Sequence, residues 1–269
     1  MNNIELIAEI GWNHMGNMRL AKKMIVAAKK SGATYCKFQT WSVDNLTEGA
    51  WDSDGRRKIY EKAQLTLDKH KSLIKECKKN NIKFLTSVFN LNDIKNLKKL
   101  NLKEIKIPSH EIHNLELIKS CIKNFKRVFI STGASKWSEI KKIKKIIKNK
   151  KNICLMHCVS SYPCLPENIN LPRLKSLSKL STFLGYSGHM GGINDAIASI
   201  CFGATVIEKH FTINNKLPGR DNKNAILPED MKALAEFANN YKNMSINKGL
   251  DLQKCEMDIF KNYRGRWSK

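Results

Sequence analysis

The sequence has no apolar run long enough to cross a bilayer. Its first residues, MNNIEL, lack a basic stretch followed by an apolar one. Neither a membrane span nor a secretory leader is therefore expected. There is no CxxC pair, and the spacing of Cys154 and Cys158 does not suit a zinc knuckle. The eight cysteines are expected to be reduced thiols in a cytoplasm. No GxGxxG follows the first apolar run, which weakens a dinucleotide-binding reading. Acid is scarce: 24 acidic residues face 48 basic ones, for a formal net charge of +24. The excess is spread over most outer helical runs, as in KKIKKIIKNK (141–150), rather than gathered in one stripe with aromatics. This argues against nucleic acid as a partner. Attraction of an anionic substrate, an acidic protein or an anionic surface remains open.

What is present is an alternation. Short apolar runs at 5–11, 34–39, 83–89, 104–109, 127–133, 152–159, 183–189 and 204–211 read as buried strands. Helical periodicity fills the gaps at 19–31, 67–80, 91–100, 115–124, 136–149, 171–180, around 193–203, and at 228–240. Eight strands and eight helices in strict order predict an α/β fold, a (β/α)8 TIM barrel over 1–240, with a C-terminal helical extension over 241–269.

In such a barrel the chemistry sits at the carboxyl ends of the strands. Polar residues recur there: Glu9, Lys37, Ser87, Lys106, Ser109, Glu111, Ser131, Ser160, Tyr162, Ser187, His189, Glu208 and His210, followed by a PGRD loop containing Asp221. A single Ser or Gly after a strand is ordinary turn chemistry. Lys37 and Lys106 lie inside apolar runs, where burial without an anionic partner is costly. With the hydroxyls they describe a phosphate or carboxylate site. His189 and His210 end parallel neighbouring strands and would meet at one sheet edge, which describes a divalent metal.

The motifs AEIGWNH (8–14), KFQT (37–40), KIPSHE (106–111), STG (131–133), HCVSSYP (157–163), GYSGH (185–189), EKHFT (208–212) and LPGRD (217–221) resemble the sialic acid synthase family. The resemblance covers about residues 4–240 and implies a β/α barrel that condenses phosphoenolpyruvate with an N-acylated amino sugar. It implies that His189 and His210 bind a divalent metal, Mn2+ before Mg2+ or Co2+. It implies that Lys37, Ser87, Lys106, Ser109, Ser131 and Ser187 hold phosphoenolpyruvate. Glu9 matches a glutamate near the metal and the reacting carbonyl. Glu111 matches the carboxylate between the two substrates, able to stabilise a cationic carbon. Tyr162 and Asp221 match sugar contacts, and Ser160 stands where some members have Asn.

Three departures qualify the likeness. Members commonly carry Asp where this chain has Gly188, which is expected to alter support of His189. The loop reads PGRDNKNA where many have PGPDH, so Arg220 and Asn222 are expected to read a different sugar substituent. Familiar members add an antifreeze-like domain that lends an arginine across a dimer. The roughly 30 residues after the eighth helix are too few for one. Arg264 or Arg266 is a candidate replacement, in its own or a partner's site; the alternative is a docked surface helix with its arginines in solvent. A homodimer is open. The connection 42–66 offers Trp51, Asp52, Arg56, Arg57 and Tyr60 as substrate or subunit contacts, or is a surface excursion. Three functions remain: a sialic-type synthase, the same chemistry on a legionaminic- or pseudaminic-type precursor, or a non-catalytic relative.

Overall fold

A computed structural model describes residues 3–49, 53, 55–147 and 152–267. The strands are β1 (Glu5–Gly11), β2 (Tyr35–Thr40), β3 (Lys83–Val88), β4 (Glu104–Ile107), β5 (Arg127–Ser131), β6 (Ile153–Cys158), β7 (Phe183–Gly188) and β8 (Val206–His210). Each pairs in parallel with its sequence neighbour, and β8 closes on β1. The predicted (β/α)8 barrel is the fold observed.

The expected helices appear as α1 (Met18–Lys30), α3 (Leu67–Lys79), α4 (Leu91–Lys98), α5 (Leu115–Asn124), α6 (Trp137–Ile147), α7 (Arg173–Ser178), α8 (Asn194–Cys201) and α9 (Pro228–Met244). Each buries one stripe. In α1 it is Ala21, Met24, Ile25 and Ala28, and the Asn17 side chain caps the start by accepting from the Arg19 and Leu20 amides. The last residues of the predicted 136–149 helix lie outside the described residues. Helix α9 runs past the boundary read at 240.

Two further helices lie outside the eightfold alternation, the second of them in the extension expected to be helical. Helix α2 (Arg56–Ala63) lies in the long connection, where Tyr60 packs against Trp12 and Trp41 at ring separations of 5.6 Å each. Tyr60 is therefore part of a rim cluster, and Arg57 faces Glu61 at 3.4 Å. Trp51, Asp52 and the Arg56 side chain lie outside the described residues. Helix α10 (Met257–Asn262) sits in an extension that is largely exposed from residue 246 onward. There Arg264 stacks on Phe260 at 4.7 Å and Arg266 on Tyr263 at 5.7 Å. Both arginines are exposed.

Alternation along the strands sorts residues into two sets. Leu6, Ala8, Ile10, Phe38, Ile105 and Ile130 point outward under the helices. Inside the barrel, Ile7, Leu85, Phe129, Met156 and Val206 form a dry middle layer. Above that layer, at the carboxyl ends, the inward residues turn polar. All eight cysteines are free thiols. Among the described residues, no helix is long and apolar enough to cross a membrane.

Candidate active site

Four charged side chains converge above the dry layer. Lys37 lies 2.7 Å from Glu9 and 3.9 Å from Glu208, and donates to Ser87 Oγ at 2.8 Å. Lys106 donates to the other oxygen of Glu208 at 2.8 Å, and Ser187 Oγ donates to Glu208 at 3.1 Å. Gln39 donates to Glu9 at 2.7 Å. All four charged groups are buried, so their pairing is what permits the burial. Register explains the meeting: Glu9 stands beside Lys37 and His210, and Ser87 beside Lys106.

The two carboxylates titrate apart. Burial and the charge on Glu208 push Glu9 up to about 7, against the pull of Lys37. Burial also acts on Glu208, but Lys106 and Lys37 outweigh it and hold it at about 2. Near neutral pH the site thus keeps one firmly ionised carboxylate and one that carries a proton part of the time.

Next to these charges lies a cradle of hydroxyls. The Gly133 amide donates to Ser109 Oγ at 3.1 Å. A Cβ on Gly133 would stand 2.5 Å from Ser160 Oγ, 2.8 Å from Ser109 Oγ and 3.0 Å from Cys158 Sγ, so only glycine leaves these groups room to converge. Ser131 Oγ is buried with no hydrogen-bond partner among the described residues. A buried hydroxyl without a partner is costly unless a ligand completes it.

The histidines sit at the rim. The rings of His189 and His210 are 5.5 Å apart, short enough for one ion to reach both, since metal–nitrogen bonds run about 2.1 Å. His189 Nδ1 donates to the Val159 carbonyl at 2.8 Å, which leaves Nε2 as the free base. Burial lowers His210 to about 4 and so keeps it neutral. Its Nδ1 is buried without a hydrogen-bond partner among the described residues, with the Asp221 carboxylate 3.8 Å away. This donor set fits a divalent ion. Among the described residues no cluster of three or more His, Cys, Asp and Glu forms a cage, so the protein offers two nitrogens and leaves further positions to other ligands. Tyr162 packs against His189 with ring centres 4.0 Å apart and planes tilted by 47°, and carries the Arg220 guanidinium on its ring at 5.3 Å. Trp12 donates its indole N–H to Asp221. A pocket opens among Tyr162, Gly188, His189, Lys209, His210, Asp221 and Asn224.

The structure brings together most residues read from the sequence. Glu111 is the outlier. It lies half-buried in the turn after β4 and, among the described residues, joins none of the hydrogen bonds of the lysine–carboxylate cluster. Asn222 does not read a substrate. It is fully buried, donates to the Asn13 and Pro218 carbonyls and accepts from Thr212. It braces the loop that carries Asp221.

Two residues gained no role from the sequence. Glu208 is the hub of the cluster, and the signal was present: it shares the inward face of β8 with Val206 and His210. Cys158, 3.8 Å from His189 Nδ1, had no such signal.

The NeuB family model matches residues 24–249. The chain belongs to the NeuB family. It is 36% identical over 250 residues to an N,N'-diacetyllegionaminic acid synthase of Campylobacter jejuni, a match covering 87% of this chain and 75% of that protein. It is 31% identical to an N-acetylneuraminate-9-phosphate synthase of Drosophila melanogaster, covering 91% of this chain and 70% of that protein. Among solved structures it superposes on an N-acetylneuraminic acid synthetase of Leptospira borgpetersenii, in complex with citrate. The TM-score is 0.88 at 29% identity, over 98% of this chain and 93% of that one. These relatives are enzymes, and so is this member of their family.

Proposed function

We propose that this NeuB family chain condenses phosphoenolpyruvate with an N-acylated amino sugar in its open-chain form, giving a nonulosonic acid and inorganic phosphate. The observation that carries this reading is the meeting of Lys37 and Lys106 at Glu208, with a partnerless buried Ser131 hydroxyl and the Gly133–Ser109 turn at the same carboxyl ends as the two histidines. Two ammonium groups in a buried site suit a small, multiply charged anion. Ser87, Ser109, Ser131 and Ser187 supply the directional hydrogen bonds that orient it.

His189 and His210 would hold the divalent ion, Mn2+ in our reading. When bound, that ion supplies Lewis-acid polarisation of the sugar's aldehyde. The remaining work falls to the chain. Lys37 and Lys106 fix phosphoenolpyruvate so that its carbon three faces the aldehyde carbon. As that bond forms, Glu9 can donate its proton to the aldehyde oxygen. Glu111 is assigned to the cationic carbon two, to which water then adds, releasing a proton that restores Glu9. Collapse of the hemiketal phosphate expels inorganic phosphate. Tyr162 and Asp221 contact the acyl sugar, and Ser160 lies at the edge of the cradle. The eight thiols suit a cytoplasm.

A second reading changes only the sugar. The legionaminic-type relative is 36% identical and the neuraminate-type relative 31%, which favours a diacetamido-dideoxy hexose as acceptor. One experiment tests both. Purified protein is given phosphoenolpyruvate, Mn2+ and a panel of N-acylated sugars, with a chelated control, and products are read by mass spectrometry. The expected result is metal-dependent phosphate release with one new nine-carbon acid, whose mass names the sugar. Absence of any such product from a folded, Mn2+-binding protein would overturn the proposal. Glu111→Gln is expected to lose turnover while still binding phosphoenolpyruvate; near-normal turnover would remove Glu111 from the mechanism.

A further inference from the structure

Gly188 leaves a space that is already filled. A Cβ placed on it would stand 2.2 Å from Asp195 Oδ2 and 2.4 Å from Tyr186 Cε1. Asp195 reaches this point from the first turn of α8, and its side chain is completely buried. Its carboxylate accepts from Tyr186 Oη at 2.9 Å and from Lys209 Nζ at 3.0 Å on each oxygen. Lys209 is equally enclosed and spends a further hydrogen bond, at 2.6 Å, on the Met190 carbonyl.

The placement of these partners is what matters. Met190 follows His189 in the chain, and Lys209 precedes His210. One buried ion pair therefore ties the backbone just after the first histidine to the strand just before the second. On the other side, the His189 carbonyl accepts from the Cys164 amide at 3.0 Å. A buried lysine needs its partner, because an unpaired ammonium in this surrounding is strongly unfavourable. Nothing in the chemistry at the barrel mouth uses Asp195, which faces the outer side of β8 with Lys209.

We infer that Asp195 is a positioning residue. Entering through the gap at Gly188, its carboxylate holds Lys209 and with it the relative placement of His189 and His210. A side chain on residue 188 and the Asp195 carboxylate, as placed here, exclude each other. A side chain at 188 needs the volume that the Asp195 carboxylate and the edge of the Tyr186 ring now share. A carboxylate carried on residue 188 would start at almost the same point and lie within reach of Lys209. The inference rests on the proposed role of the two histidines, but the exclusion between positions 188 and 195 stands on geometry alone.

The test is a swap. Gly188→Asp, Asp195→Ala, Asp195→Asn and the double variant Gly188→Asp/Asp195→Ala are compared with wild type. The readings are thermal unfolding, affinity for Mn2+ alone, and the imidazole 15N shifts of His189 and His210 in metal-free protein. Each of the first two single variants is expected to lower the unfolding temperature. The double variant should exceed the worse of the two, since only the Tyr186 ring edge must then give way, and should move the imidazole shifts back towards wild type. Asp195→Asn keeps the shape but weakens the hold on Lys209; it should stay folded and bind Mn2+ about tenfold or more weaker. The inference is overturned if the double variant is no better than the worse single. It is equally overturned if folded Asp195→Asn keeps both wild-type shifts and wild-type Mn2+ affinity. Wild-type protein that binds no Mn2+ would count against the metal reading instead, and the shifts and the unfolding cycle would still decide the role of Asp195.

Discussion

The barrel carries a charged network at each end, and the two differ in one respect. At the amino ends, Arg127 lies 2.6 Å from Glu5 and 3.9 Å from Glu104, and Lys83 lies 3.6 Å from Glu5. Tyr35 Oη sits among them, donating to Glu5 at 3.0 Å and accepting from Lys83 and Arg127. Arg127 also covers Phe129 at 4.6 Å. This network is finished, and none of its atoms appears among the buried polar atoms without partners. The carboxyl-end network also draws on β1 to β5, adds Ser187 from β7 and Glu208 and His210 from β8, and is unfinished. Ser131 Oγ and His210 Nδ1 are buried without hydrogen-bond partners among the described residues, and burial raises Glu9 to about 7, so that near neutral pH it carries a proton part of the time. A completed network stabilises. One with open valences costs stability until a ligand completes it.

The largest test removes one cation from each end. Lys106→Ala should cut turnover by at least about a hundredfold, because a buried lysine held against phosphoenolpyruvate acts directly on the charge that develops as phosphate leaves. Arg127→Ala should cost about 1–3 kcal/mol of stability, between the values for exposed and buried ion pairs, and leave turnover per folded molecule near wild type. Urea unfolding and phosphate release, measured on both proteins, check this. Equal loss of turnover in the two variants would end the division of labour between the ends.

A second test uses proton linkage. The folded-state pKa of Glu9, about 7, lies above its ordinary 4.5, so the folded protein binds more protons than the unfolded chain in that window. Its contribution to stability therefore falls as pH rises from about 4.5 to about 7. Glu5 has the opposite sign. Burial would raise it, but Arg127 and Tyr35 outweigh burial and lower it. Its contribution is present above the ordinary value and is lost as pH falls below it. Subtracting the stability–pH curve of Glu9→Gln from wild type should reveal a decline between about 4.5 and 7, whereas Glu5→Gln should leave a difference on the acid side. A flat Glu9 difference curve would show that this carboxyl titrates in the folded protein as it does in the unfolded chain.

The same contrast explains what the sequence could reveal. The fold was legible because strand and helix periods alternate without interruption, and a parallel barrel needs that order. The site was legible where polar residues interrupt apolar strands, as at Lys37, Lys106 and His210. Glu208 stood in plain view but next to Lys209, and adjacent charges hide which one faces inward; only counting in twos from Val206 separates them. Asp195 was out of reach, since it looks like the acidic first turn of an ordinary helix. Its meaning comes from the empty volume at Gly188, which exists only in three dimensions. Asn222 misled for the reverse reason: a polar residue in a substrate loop reads as a contact until its carbonyl partners are visible.

The finest comparison sets one hydroxyl against another. Tyr35 Oη at the finished end is fully engaged, and Tyr35→Phe should cost about 0.5–1.5 kcal/mol, the usual net worth of such hydrogen bonds, with no change in the Michaelis constant for phosphoenolpyruvate. Ser131 Oγ at the unfinished end has nothing to lose in the free protein. Ser131→Ala should leave stability unchanged or raise it, because a buried group without a partner is removed. It should raise the Michaelis constant roughly five- to tenfold, the equivalent of about one hydrogen bond to ligand. The two substitutions delete the same kind of atom from the same barrel, so opposite signs in stability and affinity would separate a hydroxyl that holds the fold from one that waits for substrate. If Ser131→Ala instead lowers stability as Tyr35→Phe does, the hydroxyl already has a partner in the free protein, and the cradle around Gly133 loses its strongest mark as a binding site.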